Sequence, residues 1–144
     1  MKVAIGCDPN ATDFKKALIP VIEGLGHEVV DFGSDDPIYA NVAIEVAEAV
    51  AAKKADRGVL ICGTGIGVSI AANKVKGAYA ALVNNIYQAQ RATLSNNANI
   101  ITMGSQVTGI ELGKCLVKEF LANTFDPNSR SGPKVQRIYD YEAE

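Results

Sequence analysis

Five apolar runs of strand length punctuate the chain, and they constrain its fold more than any other feature. They are KVAIG from Lys2, HEVVDFG from His27, RGVLIC from Arg57, AYAALV from Ala78 and NIITMG from Asn99. Longer stretches with helical spacing lie between them. Val42, Val46 and Val50 recur at i, i+4 and i+8 while Glu45, Glu48 and Lys53 fall elsewhere, and Leu112, Leu116 and Phe120 repeat the pattern, so both segments read as amphipathic helices. Near-continuous apolar strands separated by helices describe a parallel sheet covered on both faces. The expected fold is therefore α/β, a three-layer α/β/α, doubly wound, Rossmann-like domain with a five-stranded parallel sheet. With 144 residues, 48% of them apolar, the chain fits one domain, 1–144, with its own core.

Local signals refine the outline. Asn10 is placed to cap the first helix and Pro20 to kink it, since proline removes a backbone donor. The tail, 126–144, begins with the turn-rich FDPNSRSGP and continues as a short polar helix, KVQRIYDYEAE, that the core does not obviously need. No internal repeat or low-complexity segment occurs.

Ligands of such sheets collect beyond the C-terminal strand ends. Those ends carry Cys7 and Asp8, Cys62 to Gly67, Asn84 and Asn85, and Gly104 to Gln106. The third of the five strands stops at a thiol and turns through Gly63, Gly65 and Gly67. The spacing is wrong for a P-loop, because no Lys follows the last glycine, and wrong for a dinucleotide fingerprint, which needs GxGxxG and an acid about 20 residues on. No Arg follows Cys62 as a cysteine phosphatase requires, and no Asp stands at 62 as in a phosphate-accepting receiver.

What is left is a thiol beside a row of backbone N–H groups at a helix start. Such a nest favours negative charge and activates a thiol as base or nucleophile, while the N–H row and the Thr64 hydroxyl can stabilise an oxyanion. The alternative is that Cys62 merely ends a strand as a small core residue. Asp8 either binds a substrate hydroxyl or caps the first helix. Arg130 and Lys134 are either solvated charges or, at i, i+4, a phosphate clamp. Cys7 and Cys115 read as core residues, and His27, the only histidine, precedes its strand at the end remote from this chemistry.

The net charge of −2 and the mixed charges argue against a nucleic-acid partner. Three scattered cysteines fit a reducing cytoplasm better than a disulfide framework or a zinc site. No apolar run approaches membrane length and the MKVAIGCD start carries no leader pattern, so a cytoplasmic protein without a membrane partner is expected.

Taken together, ICGTGIGVSIAANKVKG, GCD after the first strand, PIYANVA and NNANIITMGSQVTG resemble the sugar-phosphate isomerases that include type B ribose-5-phosphate isomerase and galactose-6-phosphate isomerase. The resemblance spans essentially the whole chain. It implies an aldose–ketose isomerase without cofactor or metal, acting on a small sugar phosphate as a homodimer or tetramer with active sites shared between subunits, the tail packing on a partner.

The resemblance makes Cys62 the base that moves a proton between C1 and C2 through an enediolate. Gly63, Thr64, Gly65, Ile66 and Gly67 then form the anion hole, Asp8, Tyr39 and Asn96 contact the sugar, and Arg130 with Lys134 hold its phosphate. Where the family has His beside Asp8 this chain has Pro9; its Arg in the strand-five loop is Gln106, the second Arg of its clamp is Lys134, and its ring-opening His is Ser95. A tetrose 4-phosphate cannot close a furanose, because phosphate occupies the ring-closing oxygen. The loss of that His therefore favours erythrulose 4-phosphate over a pentose phosphate. The other reading is a non-catalytic sugar-phosphate-binding module, or one subunit of a heteromeric galactose-6-phosphate isomerase.

Overall fold

The computed structural model describes all 144 residues. The five strands are β1 (Lys2–Cys7), β2 (Glu28–Asp31), β3 (Arg57–Cys62), β4 (Ala80–Leu82) and β5 (Ile100–Gly104), and they form one sheet in the order β2-β1-β3-β5-β4. Every pairing is parallel. The α-helices are α1 (Thr12–Gly24), α2 (Tyr39–Ala51), α3 (Ile66–Ala72), α4 (Ile86–Leu94), α5 (Ile110–Ala122) and α6 (Gly132–Ala143), with a 3₁₀ turn at Pro9–Ala11. No helix is long and apolar enough to cross a membrane.

Alternation along the strands builds two cores. Val3, Ile5 and Cys7 of β1 and Val59 and Ile61 of β3 pack with α1, α4 and α5 through Leu18, Ala89 and Phe120. Ala4 of β1 and Leu60 and Cys62 of β3 face the other way, toward Val46 and Val50 of α2 and Val68 of α3. The expected three-layer α/β/α architecture is thus present, and Val42, Val46 and Val50 are all buried. Inserting β5 between β3 and β4 brings the strand-five loop directly beside the strand-three loop.

Three local expectations are corrected. Asn10 does not cap α1: it lies inside the Pro9–Ala11 turn, so Ala11 precedes the helix and no side chain caps it. Leu112 is 39% exposed and Cys115 is exposed rather than in the core. The reason is the rotation of α5, where the buried face runs through Gly113, Leu116, Val117, Phe120 and Leu121 and Gly113 sits against the Phe14 ring. Pro20 lies within α1, which continues to Gly24.

The polar tail helix is present as α6. It docks on its own chain along one face, where Val135 is buried, Tyr139 meets the Tyr79 ring and Asn97 donates to the Tyr139 hydroxyl. Glu142, one turn further, accepts hydrogen bonds from the Tyr79 hydroxyl and the Gly77 N–H. The Tyr79 bond holds the Glu142 carboxyl below its usual range, with the Gly77 N–H adding to the effect. A carboxyl made more acidic by docking stabilises the docked state above its free pKa and loses that contribution as pH falls through the docked value. We therefore expect α6 to loosen in acid, read as lower amide protection in 132–143, relative to the intrinsic chemical rate, at about pH 3.5 than at about pH 7. In Glu142→Gln the exchange should depend less on pH, once the intrinsic chemical rate is removed; equal dependence in both proteins would exclude Glu142 as the cause.

Candidate active site

The strand-three loop owes its shape to glycines at two places. Gly65 has φ +80°, and a Cβ there would stand 2.7 Å from the Met103 carbonyl carbon of β5, so both the left-handed turn and the close approach of the loops require glycine. At Gly67 a Cβ would collide with the Tyr39 ring. Tyr39 opens α2, and its ring lies across the start of α3. The loops are then tied together by hydrogen bonds to backbone carbonyls. Ser105 N–H donates to the Cys62 carbonyl at 2.8 Å, Gln106 N–H to the Gly63 carbonyl at 3.0 Å and the Thr102 hydroxyl to the Gly65 carbonyl at 2.9 Å. The Gln106 side chain lies 3.7 Å from where a Gly63 Cβ would be.

Cys62 is 5% exposed, and its Sγ accepts the Gly65 N–H at 3.1 Å. The N–H groups of Gly63, Thr64 and Gly67 donate to no group of the chain, and those of Gly63 and Thr64 directly follow the thiol in sequence. Such open donors stabilise charge that develops on a bound oxygen. The Thr64 hydroxyl accepts the Ile66 N–H at 3.2 Å, leaving its own proton to donate. Cys7 differs in kind, being fully buried, with burial pushing its thiol up to about 11.

Asp8 completes this group. Its backbone is extended, so the two-residue alternation of β1 continues through it and sets its side chain on the same sheet face as Cys62. Cys7 pairs with Ile61, which places Asp8 level with Cys62. Although Asp8 is only 8% exposed, its Oδ1 has no hydrogen-bond partner and its side chain caps nothing. A buried carboxylate oxygen without a donor is costly, and a substrate hydroxyl would satisfy it.

The other expected site residues form a second group. Ser95, Asn96, Arg130 and Lys134 line one cleft of about 390 Å³ together with Arg91 and Ser131. Ser95 follows α4, which starts beyond the C-terminal end of β4 and runs back across the sheet. This cleft therefore lies toward the N-terminal ends of the strands, with the Cys62 loop at the opposite ends. Residues 100–104 of β5 alone span about 13 Å at about 3.3 Å per residue, too far for one small sugar phosphate to touch both groups within one chain. Sequence reasoning named Ser95 and Asn96 but missed Arg91, one helical turn earlier, which meets Arg130 and Lys134 only where the tail lies against the end of α4. No three His, Cys, Asp or Glu side chains converge on a possible metal position.

The sequence model of the Ribose/Galactose Isomerase family matches residues 3–138. D-erythrulose-4-phosphate isomerase 2 of Mycolicibacterium smegmatis is 46% identical over 151 residues, which cover 99% of this chain and 97% of that one. D-erythrulose-4-phosphate isomerase of Pectobacterium atrosepticum is 42% identical, covering 99% and 95%. Among solved structures, ribose-5-phosphate isomerase B of Clostridium thermocellum superposes with a TM-score of 0.93 at 38% identity, covering 99% and 98% of the two chains.

Proposed function

The chain belongs to the ribose/galactose isomerase family and is an aldose–ketose isomerase of a sugar phosphate, and from that premise we propose that its substrate is a tetrose 4-phosphate. In the proposed reaction the Cys62 thiolate removes the proton on the carbon next to the carbonyl. The electron pair of that C–H bond forms the enediolate double bond, and negative charge moves onto the former carbonyl oxygen. The N–H groups of Gly63, Thr64 and Gly67 receive that charge, and the Thr64 hydroxyl adds a donor. Protonation at the neighbouring carbon, with transfer of one hydroxyl proton between the two oxygens, gives the isomeric carbonyl and restores the thiolate. Asp8 accepts a substrate hydroxyl, while Tyr39 and Gln106 close the sides. The observation that carries this reading is the Cys62 sulfur, bonded to Gly65 N–H beside open donors, on one sheet face with the unpartnered Asp8.

The phosphate is proposed to bind Arg130 and Lys134 of a second copy of the chain, whose Asn96 reaches the sugar, because the two groups lie too far apart within one subunit. Tyr141, 68% exposed and off the docking stripe of α6, suits the proposed contact of the tail with a partner. Cytoplasmic residence and a metal-free reaction belong to the same proposal.

Ser95 supports the open-chain substrate. Its hydroxyl oxygen accepts the Arg91 Nε–H at 2.6 Å, so it is a hydrogen-bond donor to a ligand and a poor base for opening a furanose. Two relatives over 40% identical carry the name erythrulose-4-phosphate isomerase. Comparison of kcat/KM for erythrulose 4-phosphate and ribose 5-phosphate tests the choice. The wild type should prefer the tetrose by about 10²-fold or more, the range of one acid/base group, and Ser95→His should raise the pentose value about tenfold or more. A wild type that prefers the pentose, or a folded Ser95→His with an unchanged pentose rate, excludes the ring-opening argument.

A further inference from the structure

We infer that Arg91 is a third anion-binding side chain of the Ser95–Lys134 cleft and that, through its bond to Ser95, it fixes that hydroxyl as a donor to the same ligand. The inference rests on the phosphate-clamp reading and extends it to a residue that reading did not include.

The cleft is lined by Arg91, Arg130 and Lys134, with no Asp or Glu among its lining residues. None of the three cations is paired with a carboxylate anywhere in the chain, since the ion pairs are Lys15–Asp31, Lys114–Glu111 and Arg137–Glu144. Three unpaired positive charges around one space repel one another unless an anion enters it. Arg91 is only partly exposed, so its charge is screened less by solvent than those of Arg130 and Lys134.

The place of the cleft in the fold strengthens the need for a third charge. Arg91 stands in the last turn of α4 and Ser95 at its C-cap, where the helix dipole is negative and opposes an anion. Two exposed cations at the start of α6 must overcome that field alone, whereas Arg91 cancels it at its source. Its guanidinium also has donors to spare. Nε–H is used on Ser95 Oγ, and neither terminal nitrogen makes a hydrogen bond in the chain, so the fork that suits a phosphate oxygen pair is free. The nearby Asn96 donates Nδ2 to the Arg91 carbonyl at 3.2 Å, which holds the helix end and leaves Asn96 Oδ1 free to accept from a sugar hydroxyl. The cleft thus offers donors from Arg91, Ser95, Arg130 and Lys134 and an acceptor from Asn96, the pattern of a phosphorylated polyol.

A purely structural Arg91 would only hold Ser95 in place, and the two roles separate in a binding experiment. Inorganic phosphate is titrated into the intact protein at low salt by calorimetry, with the resonances of residues 91–96 and 130–138 followed by NMR. Arg91→Gln should weaken phosphate at least about tenfold and flatten the salt dependence of binding, Arg91→Lys should recover part of the affinity, and Ser95→Ala should have a smaller effect than Arg91→Gln. In turnover, Arg91→Gln should raise KM for the sugar phosphate more than it lowers kcat. If Arg91→Gln stays folded and binds phosphate as the wild type does while Arg130→Ala does not, Arg91 is structural and the inference fails alone. If the wild type shows no phosphate-induced shifts in either segment, the clamp reading fails and takes the inference with it.

Discussion

Cys62→Ala is expected to abolish isomerisation while leaving the fold and sugar-phosphate binding largely intact. Loss of a positioned general base costs about 10²- to 10⁴-fold. Here no histidine can take its place, since His27, the only one, lies at the far end of the sheet and hydrogen-bonds the chain's N-terminal amine at 2.9 Å. The alanine occupies the same strand position with a smaller side chain, and Cys62 is a modest member of its core cluster beside Leu60, Val46 and Val68. Stability should therefore fall far less than activity. Solvent exchange of the substrate's C–H proton, followed by NMR, reads the chemical step itself. Exchange at the wild-type rate in a folded Cys62→Ala protein would falsify the role of the thiol as base. Cys7→Ala is the matched control, because the Cys7 thiol is fully buried among apolar residues on the opposite face and should affect stability alone.

Much of the fold was legible because its determinants are local. VAIG and VLIC are apolar at every position and IITM at all but Thr102, whose hydroxyl is satisfied by the Gly65 carbonyl; such short runs suit strands covered on both faces, and they form the three central strands. The edge strand β4 is shorter than AYAALV suggests, at Ala80–Leu82, since it has one neighbour and only half-buried residues. Leu112 and Cys115 were misplaced because helical spacing fixes a periodicity but not its rotation; contact between Gly113 and the Phe14 ring sets that rotation, and Phe14 lies in a different helix. Likewise Asp8 and Pro9 start a 3₁₀ turn that takes Asn10 out of capping position.

The site divides in the same way. Cys62, Gly65 and Gly67 were readable because a thiol, a left-handed glycine and a nest lie within six residues of one another in sequence. Asp8 was ambiguous between cap and ligand until its buried, unpartnered oxygen removed the cap. Arg91 carried no signal, because its partner Ser95 has no charge and its fellow cations lie just before and within a helix that arrives by tertiary docking. Nor does sequence spacing reveal that the two groups face opposite ends of the sheet, since this depends on the direction in which α4 runs back from β4.

That separation leads to the second large effect. Cys62→Ala and Arg130→Ala proteins should each be nearly inactive alone, the first for want of a base and the second because phosphate binding orients the reacting carbons. If each site draws its thiol from one subunit and its cations from the other, a dimer containing one chain of each kind has one doubly damaged site and one intact site. After unfolding and co-refolding in equal amounts, random pairing puts about half of the dimers in the hybrid class. Each hybrid holds one working site of two, so activity should return to about a quarter of the wild-type value, as symmetric pairing through a twofold interface requires. Separately refolded samples, mixed afterwards without subunit exchange, should stay inactive. If both groups served a site within a single chain, every chain in the mixture would carry a defect and no pairing could mend it. A co-refolded sample that assembles normally yet remains as inactive as its parents would therefore sink the shared site. Recovery near a quarter would leave the distance between the Cys62 loop and the Arg130 cleft as the reason this chain cannot work alone.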